Sequence, residues 1–200
     1  ANSNSLALVA ASNQFVDRAD TASLSITSDI TIEFWVRFTS LPSSGNGMGL
    51  VYKADTTIGS SYKVYLQNDG GTYNIYLAID NGVTSEDLPK SPGALSTATW
   101  YHWAVTWDAS AHLMELFVGG SSVGTSNGAL TAIADRNNRF GIGQYRSGSN
   151  SMFLNGLIDE VRVWNDLRTA AEINNNKAIE LVGNEAGLVG YWQFDGDLLE

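Results

Sequence analysis

The 200-residue chain has no cysteine. That absence removes disulfide staples, zinc–thiolate centres and thiol catalysis together. It leaves the compartment open, since a cysteine-free chain is at home inside or outside the cell. Basic residues are scarce: 11 Lys and Arg stand against 21 Asp and Glu, a formal net charge of −10. Nucleic acid and anionic membrane surfaces are both poor partners for such a chain, because each is held by clustered Lys and Arg. No apolar run approaches the roughly 20 residues that span a bilayer. The opening Ala1-Asn2-Ser3 has neither a basic region nor an apolar stretch, so no signal peptide is visible. The chain reads as a mature fragment or excised domain, with Leu199-Glu200 as a cloning remnant. Low-complexity linkers and internal repeats are also missing, which predicts a single domain over residues 1–200. The acidity suits a soluble extracellular protein and one that holds Ca²⁺.

What is present is a succession of short apolar-aromatic runs broken by Gly, Asn, Asp and Ser, the pattern of an all-β chain. The clearest is Thr31–Phe38. There Ile32, Phe34, Val36 and Phe38 alternate with Thr31, Glu33, Trp35 and Arg37, which predicts a strand with one face in the core. Tyr62–Gln67 and Tyr73–Ile79 flank Asn68-Asp69-Gly70-Gly71, a hairpin signal. Trp100–Trp107 and Leu113–Val118 form a second pair. Phe140–Gly143, Gly156–Trp164 and Gly187–Phe194 add further strands. One helix is expected, from a Thr169-Ala170-Ala171-Glu172 capping box to about Glu180, with fraying at Asn174-Asn175-Asn176.

Gly156-Leu157-Ile158-Asp159-Glu160-Val161-Arg162-Val163-Trp164-Asn165, then Leu167 and Ala171-Glu172-Ile173, resembles the closing signature of laminin-G-like jelly-roll domains of the concanavalin A-like lectin/glucanase superfamily. The opening Leu6–Leu8 and Asn13–Val16, the Trp100–Trp107 strand, Leu116–Gly120 and Gly187–Asp195 are similar to the same family in the same order. The resemblance implies a two-sheet antiparallel sandwich and a function in binding. Two positions depart from it. Gly119 stands where the family usually has Asp or Asn, and Ala11-Ser12 where it often has Asp-Gly.

Catalytic spacing is missing. The Glu-x-Asp-x-x-Glu strand of related sugar hydrolases, whose carboxylates act about 5 Å apart, does not occur. The adjacent acidic pairs are Glu86-Asp87 and Asp159-Glu160, and neighbours on a regular strand point to opposite faces. No Gly-x-Ser-x-Gly elbow supports a serine triad. His102 reads as a structural residue near Trp100, and His112 as a solvated one beside a turn. A non-enzyme is the expectation.

By resemblance, Asp159 is the first candidate ligand for a structural Ca²⁺, with Asn13 of the opening loop as its partner. The competing reading of Asp159 is a carboxylate that only accepts backbone hydrogen bonds. Glu33, Arg37, Glu160 and Arg162 form a cross-strand charge ladder if their strands are neighbours, either a solvated sheet face or a recognition surface. For a sugar, Gln144, Tyr145 and Arg146, with Arg139 nearby, combine one aromatic face with planar polar groups; they and Tyr52, Lys53 and Asp55 are expected on loops. Trp100, Trp103, Trp107 and Trp192 are expected in the core, and Trp35 and Trp164 on the outward side of their strands, either open there or covered by a loop or the helix. The function expected is a carbohydrate-binding or adhesion module on a bacterial or phage surface or secreted protein. The alternatives are an assembly module that packs against other domains or subunits, and a hydrolase or lyase with an unfamiliar site.

Overall fold

The computed structural model describes residues 4–55, 59–147 and 150–195. Fifteen strands and one helix follow in chain order. They are β1 (Leu6–Leu8), β2 (Val16–Arg18), β3 (Ile30–Phe38), β4 (Gly47–Asp55), β5 (Gly59–Asp69), β6 (Thr72–Asp80), β7 (Ser85–Lys90) and β8 (Trp100–Asp108). Then come β9 (Leu113–Val118), β10 (Ser121–Asn127), β11 (Phe140–Ile142), β12 (Gln144–Ser147), β13 (Asn150–Phe153), β14 (Gly156–Trp164), α1 (Ala170–Asn176) and β15 (Leu188–Trp192).

Two antiparallel sheets pack face to face. The seven-stranded sheet has the order β1-β14-β3-β8-β9-β10, with β15 also on β14. The six-stranded sheet has the order β2-β11-β4-β5-β6-β7, and β12 and β13 form a separate hairpin. β1 pairs with the Gly156 half of β14 and β15 with its Trp164 half, so the two share one edge end to end. This is the two-sheet all-β jelly-roll sandwich that the resemblance implies, with one short α-helix among the described residues.

The alternation of β3 sets the layers. Ile32, Phe34, Val36 and Phe38 are fully buried between the sheets, with Trp103, Trp107 and Met114 opposite or beside them. Phe34 meets Trp103 edge-on at 6.3 Å between ring centres, a favoured aromatic geometry. The β5–β6 turn follows the Gly70-Gly71 signal, and both glycines have positive φ. β4, β7 and β10 lack a clear alternation, and the sequence does not announce them. Tyr52 and Lys53, expected on a loop, lie in β4 at the centre of the sheet.

The helix begins at the expected cap, with both hydrogen bonds of the capping box made. It stops at Asn176 rather than about Glu180. Three consecutive Asn propagate a helix poorly, and the buried Arg162 draws the carbonyls of Asn176 and Ile179 to itself. Residues 177–182 therefore run on as an arm over the outer face of the seven-stranded sheet.

Truncating Phe34 at the centre of the core tests the layer assignment. Phe34→Ala should lower unfolding stability by about 3–5 kcal/mol in a denaturant titration. A change under about 1 kcal/mol would mean that the ring does not pack between the sheets.

Candidate functional site

The outer face of the six-stranded sheet carries the residues predicted around Tyr145. The β12–β13 hairpin folds back over β4, and glycine makes the approach feasible. A Cβ on Gly49 would stand 2.0 Å from the carbonyl carbon of Gln144, so any side chain there would expel the hairpin. The peptide group between Gln144 and Tyr145 thus takes the place that a Gly49 side chain would fill, and sets the Tyr145 ring on the sheet face. Tyr145 is the first ring of a row. It stacks on Tyr65 of β5 at 4.7 Å, and Tyr65 stacks on Tyr76 of β6 at 4.9 Å. The three rings stand nearly parallel at about the 4.8 Å spacing of adjacent strands. Tyr65 has both faces covered; Tyr76, half-buried, ends the row next to Pro89 of β7, its register partner.

Polar groups surround the row. The Asp69 carboxylate accepts from Gln67 (2.9 Å), Asn74 (2.7 Å) and the Tyr76 hydroxyl (2.8 Å). The bond from Asn74, then those from Tyr76 and Gln67, hold its carboxyl below the usual carboxylate range. Tyr76 is pushed up to about 12, by burial and then by the bond to Asp69. Tyr65 is raised further, by burial first and then by Asp87. Lys63 places its ammonium 4.6 Å from the centre of the Tyr145 ring. Tyr65 and Tyr76 are held neutral and Asp69 ionised, a preformed set of hydrogen-bond donors and acceptors on a sheet face.

The predicted ligand residues are partly brought together. Gln144 and Tyr145 sit side by side on the hairpin as strand residues, not loop residues, and both are buried. The Gln144 carbonyl oxygen receives the Tyr52 hydroxyl at 3.2 Å. Arg139 lies toward the β2 edge and is engaged by Asp17, with its Nε 2.5 Å from the carboxylate. The backbone of Arg146 lies in β12, while its side chain, like that of Asp55, falls outside the described residues. Tyr65 and Tyr76 were missed because each reads as an ordinary outward tyrosine of an alternating strand. Their equal spacing from the Gly70-Gly71 turn, which makes them direct cross-strand partners, was the available signal.

On the opposite sheet the charge ladder forms, but it is not a solvated face. Glu33 and Arg162 are cross-strand partners, each about 1% exposed, with 3.7 Å between Glu33 Oε1 and Arg162 Nη1. His102, buried against Glu33 at 3.3 Å, meets the Trp35 ring edge-on. Trp164 donates to Glu33 and is covered by the Arg168 guanidinium. α1 and the arm cover the group. Trp100, expected in the core, is instead 39% exposed on this face, because its register partner is the outward Arg37.

The structure does not bring the proposed calcium ligands together. Leu8 pairs with Gly156 and Leu6 with Ile158, so the opening loop and Asp159 lie beyond opposite ends of the pairing, roughly 10 Å apart or more. Asn13 is a left-handed turn residue, and the loop is tied by Gln14 and Asn155 instead. Asp159 accepts the N–H of Glu160. Glu160 is itself engaged by Arg162 and Tyr191. No group of three or more His, Asp or Glu among the described residues is placed to hold a metal. Calcium needs six to eight oxygens, and this donor set does not fit it. One expectation is overturned outright: Asp159 and Glu160 do not point to opposite faces. Glu160 adopts φ 51° in a bulge, and both residues border one cavity.

A scan against protein families matches residues 11–174 to a model described as the concanavalin A-like lectin/glucanases superfamily. The chain belongs to this laminin-G-like family. No curated protein matches it. Among solved structures, a putative carbohydrate binding protein from Bacteroides ovatus aligns with TM-score 0.69 and 19% identity. That match covers 92% of this chain and 50% of the other, so this chain spans half the length of that protein. A heptameric SAP-like pentraxin from Limulus polyphemus aligns with TM-score 0.65 and 16% identity over 96% of this chain and 91% of that one. The CBM40 of Ruminococcus gnavus IT-sialidase, bound to α2,3-sialyllactose, aligns with TM-score 0.58 and 15% identity, covering 88% and 97%. At these identities the likeness establishes the fold.

Asp159 sets a pH test. Burial first, then the Glu160 and Asp195 carboxylates, raise its carboxyl to about 7 against the pull of the Glu160 N–H. Its folded value exceeds the unfolded one. Between about pH 4 and 7 the unfolded state therefore ionises first, and stability falls as pH rises. Asp159→Asn keeps the acceptor for Glu160 and removes this loss. At pH 8 its Tm should exceed the parent's by about 2–4 °C, the shift from roughly 1 kcal/mol once solvent access is allowed for. At pH 4 the two should coincide. Equal Tm values at both pH would show that Asp159 is fully solvated.

Proposed function

We propose that this chain is a non-catalytic carbohydrate-binding module that holds a glycan on the outer face of its six-stranded sheet. The observation that carries this reading is the row Tyr145–Tyr65–Tyr76 beside the hydrogen-bonded carboxylate of Asp69. Sugar rings present C–H faces that pack on aromatic rings, and hydroxyls that bind carboxylates and amides. The half-exposed Tyr76 at the end of the row, beside Pro89, supplies the first, and Asp69, Asn74, Gln67 and Asp87 the second. The site is shallow, which suits the side of an extended glycan better than a buried monosaccharide.

The same geometry argues against hydrolysis. A glycosidase needs one carboxyl with a raised pKa as acid and a second carboxylate across the scissile bond. Asp69 is shifted the wrong way for the acid. Relatives of this fold that carry glycan ligands, such as the Ruminococcus gnavus IT-sialidase CBM40 with α2,3-sialyllactose, support a binding role. An extracellular or cell- or virion-surface location follows from such a ligand and agrees with the acidic, cysteine-free composition.

A glycan array followed by titration calorimetry tests the reading. The parent should bind at least one glycan class saturably, without releasing reducing sugar from it. Tyr76→Ala should weaken that binding about five- to tenfold, the effect of losing one aromatic platform worth roughly 1–1.5 kcal/mol, with Tm within a few degrees of the parent. An array without saturable binding, or a Tyr76→Ala variant with parental affinity, would contradict it.

A further inference from the structure

A second site lies on the other side of the molecule. The outer face of the seven-stranded sheet holds a cavity of about 650 Å³ between the strands, the start of β1 and the arm. Its floor is Trp35, Arg37, Trp100, Leu157 and Asp159, and the arm from Lys177 to Glu180 forms one wall. The volume lies within the range of small-molecule sites, roughly 300–1,000 Å³. Trp35 is fixed in place, because its indole N–H donates to the Lys177 carbonyl at 2.7 Å. Trp100 stands on the adjacent strand at the diagonal position, two residues from His102, the register partner of Trp35.

The charges of the cavity are unevenly matched. Lys177 is spent on the Gly119 carbonyl and Asn174, Glu160 on Arg162 and Tyr191, and Glu180 on Gln193. Arg37 and Asp159 remain. Arg37 pairs in register with Leu157, and Asp159 with Trp35, so the two stand on the diagonal of adjacent strands. Diagonal neighbours are about 7–8 Å apart at the backbone. Neither makes an ion pair, with each other or with any other described residue. A guanidinium and a carboxylate thus face one cavity with two indoles on its floor, and they are left unpaired there.

We propose that this cavity binds a small zwitterion with a flat apolar body, of which an aromatic α-amino acid is the simplest form. Its carboxylate meets the Arg37 guanidinium, which offers a planar fork of donors. Its ammonium meets Asp159, which has an acceptor oxygen beyond the one given to Glu160. Its ring lies between Trp35 and Trp100. A neutral sugar leaves both charges unmatched in a partly dry cavity, and an anion or a cation alone matches one and repels the other. The complementarity is independent of the glycan face, which lies across the sandwich.

The test is calorimetric titration of the whole chain at pH 8 with L-phenylalanine, 3-phenylpropionate and phenethylamine. The last two each lack one charge. L-phenylalanine should bind with a stoichiometry of one, and each analogue at least about tenfold more weakly, the scale of one charge-assisted hydrogen bond. Arg37→Met should remove the preference for L-phenylalanine over phenethylamine, and Asp159→Asn its preference over 3-phenylpropionate. Melting curves and retained glycan binding show that each variant is folded. Absence of saturable binding of L-phenylalanine in the millimolar range, equal binding of all three probes, or variants with parental preferences would overturn the proposal.

Discussion

The buried guanidinium of Arg162 is the constraint on which the outer architecture depends. A charge in an environment of low dielectric is tolerated only when it is paired and hydrogen-bonded. The sheet supplies part of what Arg162 needs, through Glu33 across the strand pair and Glu160 on its own strand. The rest comes from the carbonyls of Asn176 and Ile179, which belong to the segment after the helix. Satisfying one side chain therefore fixes where the helix ends and draws the arm down onto the sheet. The same arm takes the Trp35 N–H and walls the cavity beside it. Removing Arg162 alone would leave Glu33 buried without its guanidinium partner, a more damaging change than replacing both by apolar residues.

The opposite face follows another rule, close approach of backbone to backbone. Gly47 and Gly49 leave β4 bare on its outer side, and the β12–β13 hairpin occupies that space, with Met152 against Gly47 and Gln144-Tyr145 against Gly49. Tyr145 then extends a row that Tyr65 and Tyr76 begin. Both sheets are thus half covered on the outside by later parts of the chain, and each retains one uncovered patch of aromatic and polar groups. On the six-stranded side the patch is a shallow row with its hydrogen bonds made internally. On the seven-stranded side it is a cavity with two charges left over.

Much of the fold was legible because it rests on local pattern. The alternation of β3 identifies the core face, and the Gly70-Gly71 turn and the Thr169–Glu172 capping box stand where the chain places them. Less of the site was legible, because it rests on register and on chain segments far apart in sequence. Tyr145 read as a loop residue, since nothing local says that Gly49 makes room for it. Trp100 read as core, since its outward direction depends on pairing with Arg37. Asp159 and Glu160 read as pointing apart, since a bulge with a left-handed Glu is not visible in an alternating apolar strand. The Glu33–Arg162 pair was recognisable as a ladder, but its burial was not, because the cover comes from residues 170–182.

The central claim is that the tyrosine row is the glycan face. It is tested most directly by NMR, following backbone amides and indole N–H groups while the glycan class that binds most tightly is added. The account predicts shifts concentrated at Lys63, Tyr65, Gln67, Asn74, Tyr76 and Asp87, with the Trp35 and Trp100 indoles unmoved. Shifts confined to Trp35, Trp100 and the arm, with the tyrosine row silent, would contradict it.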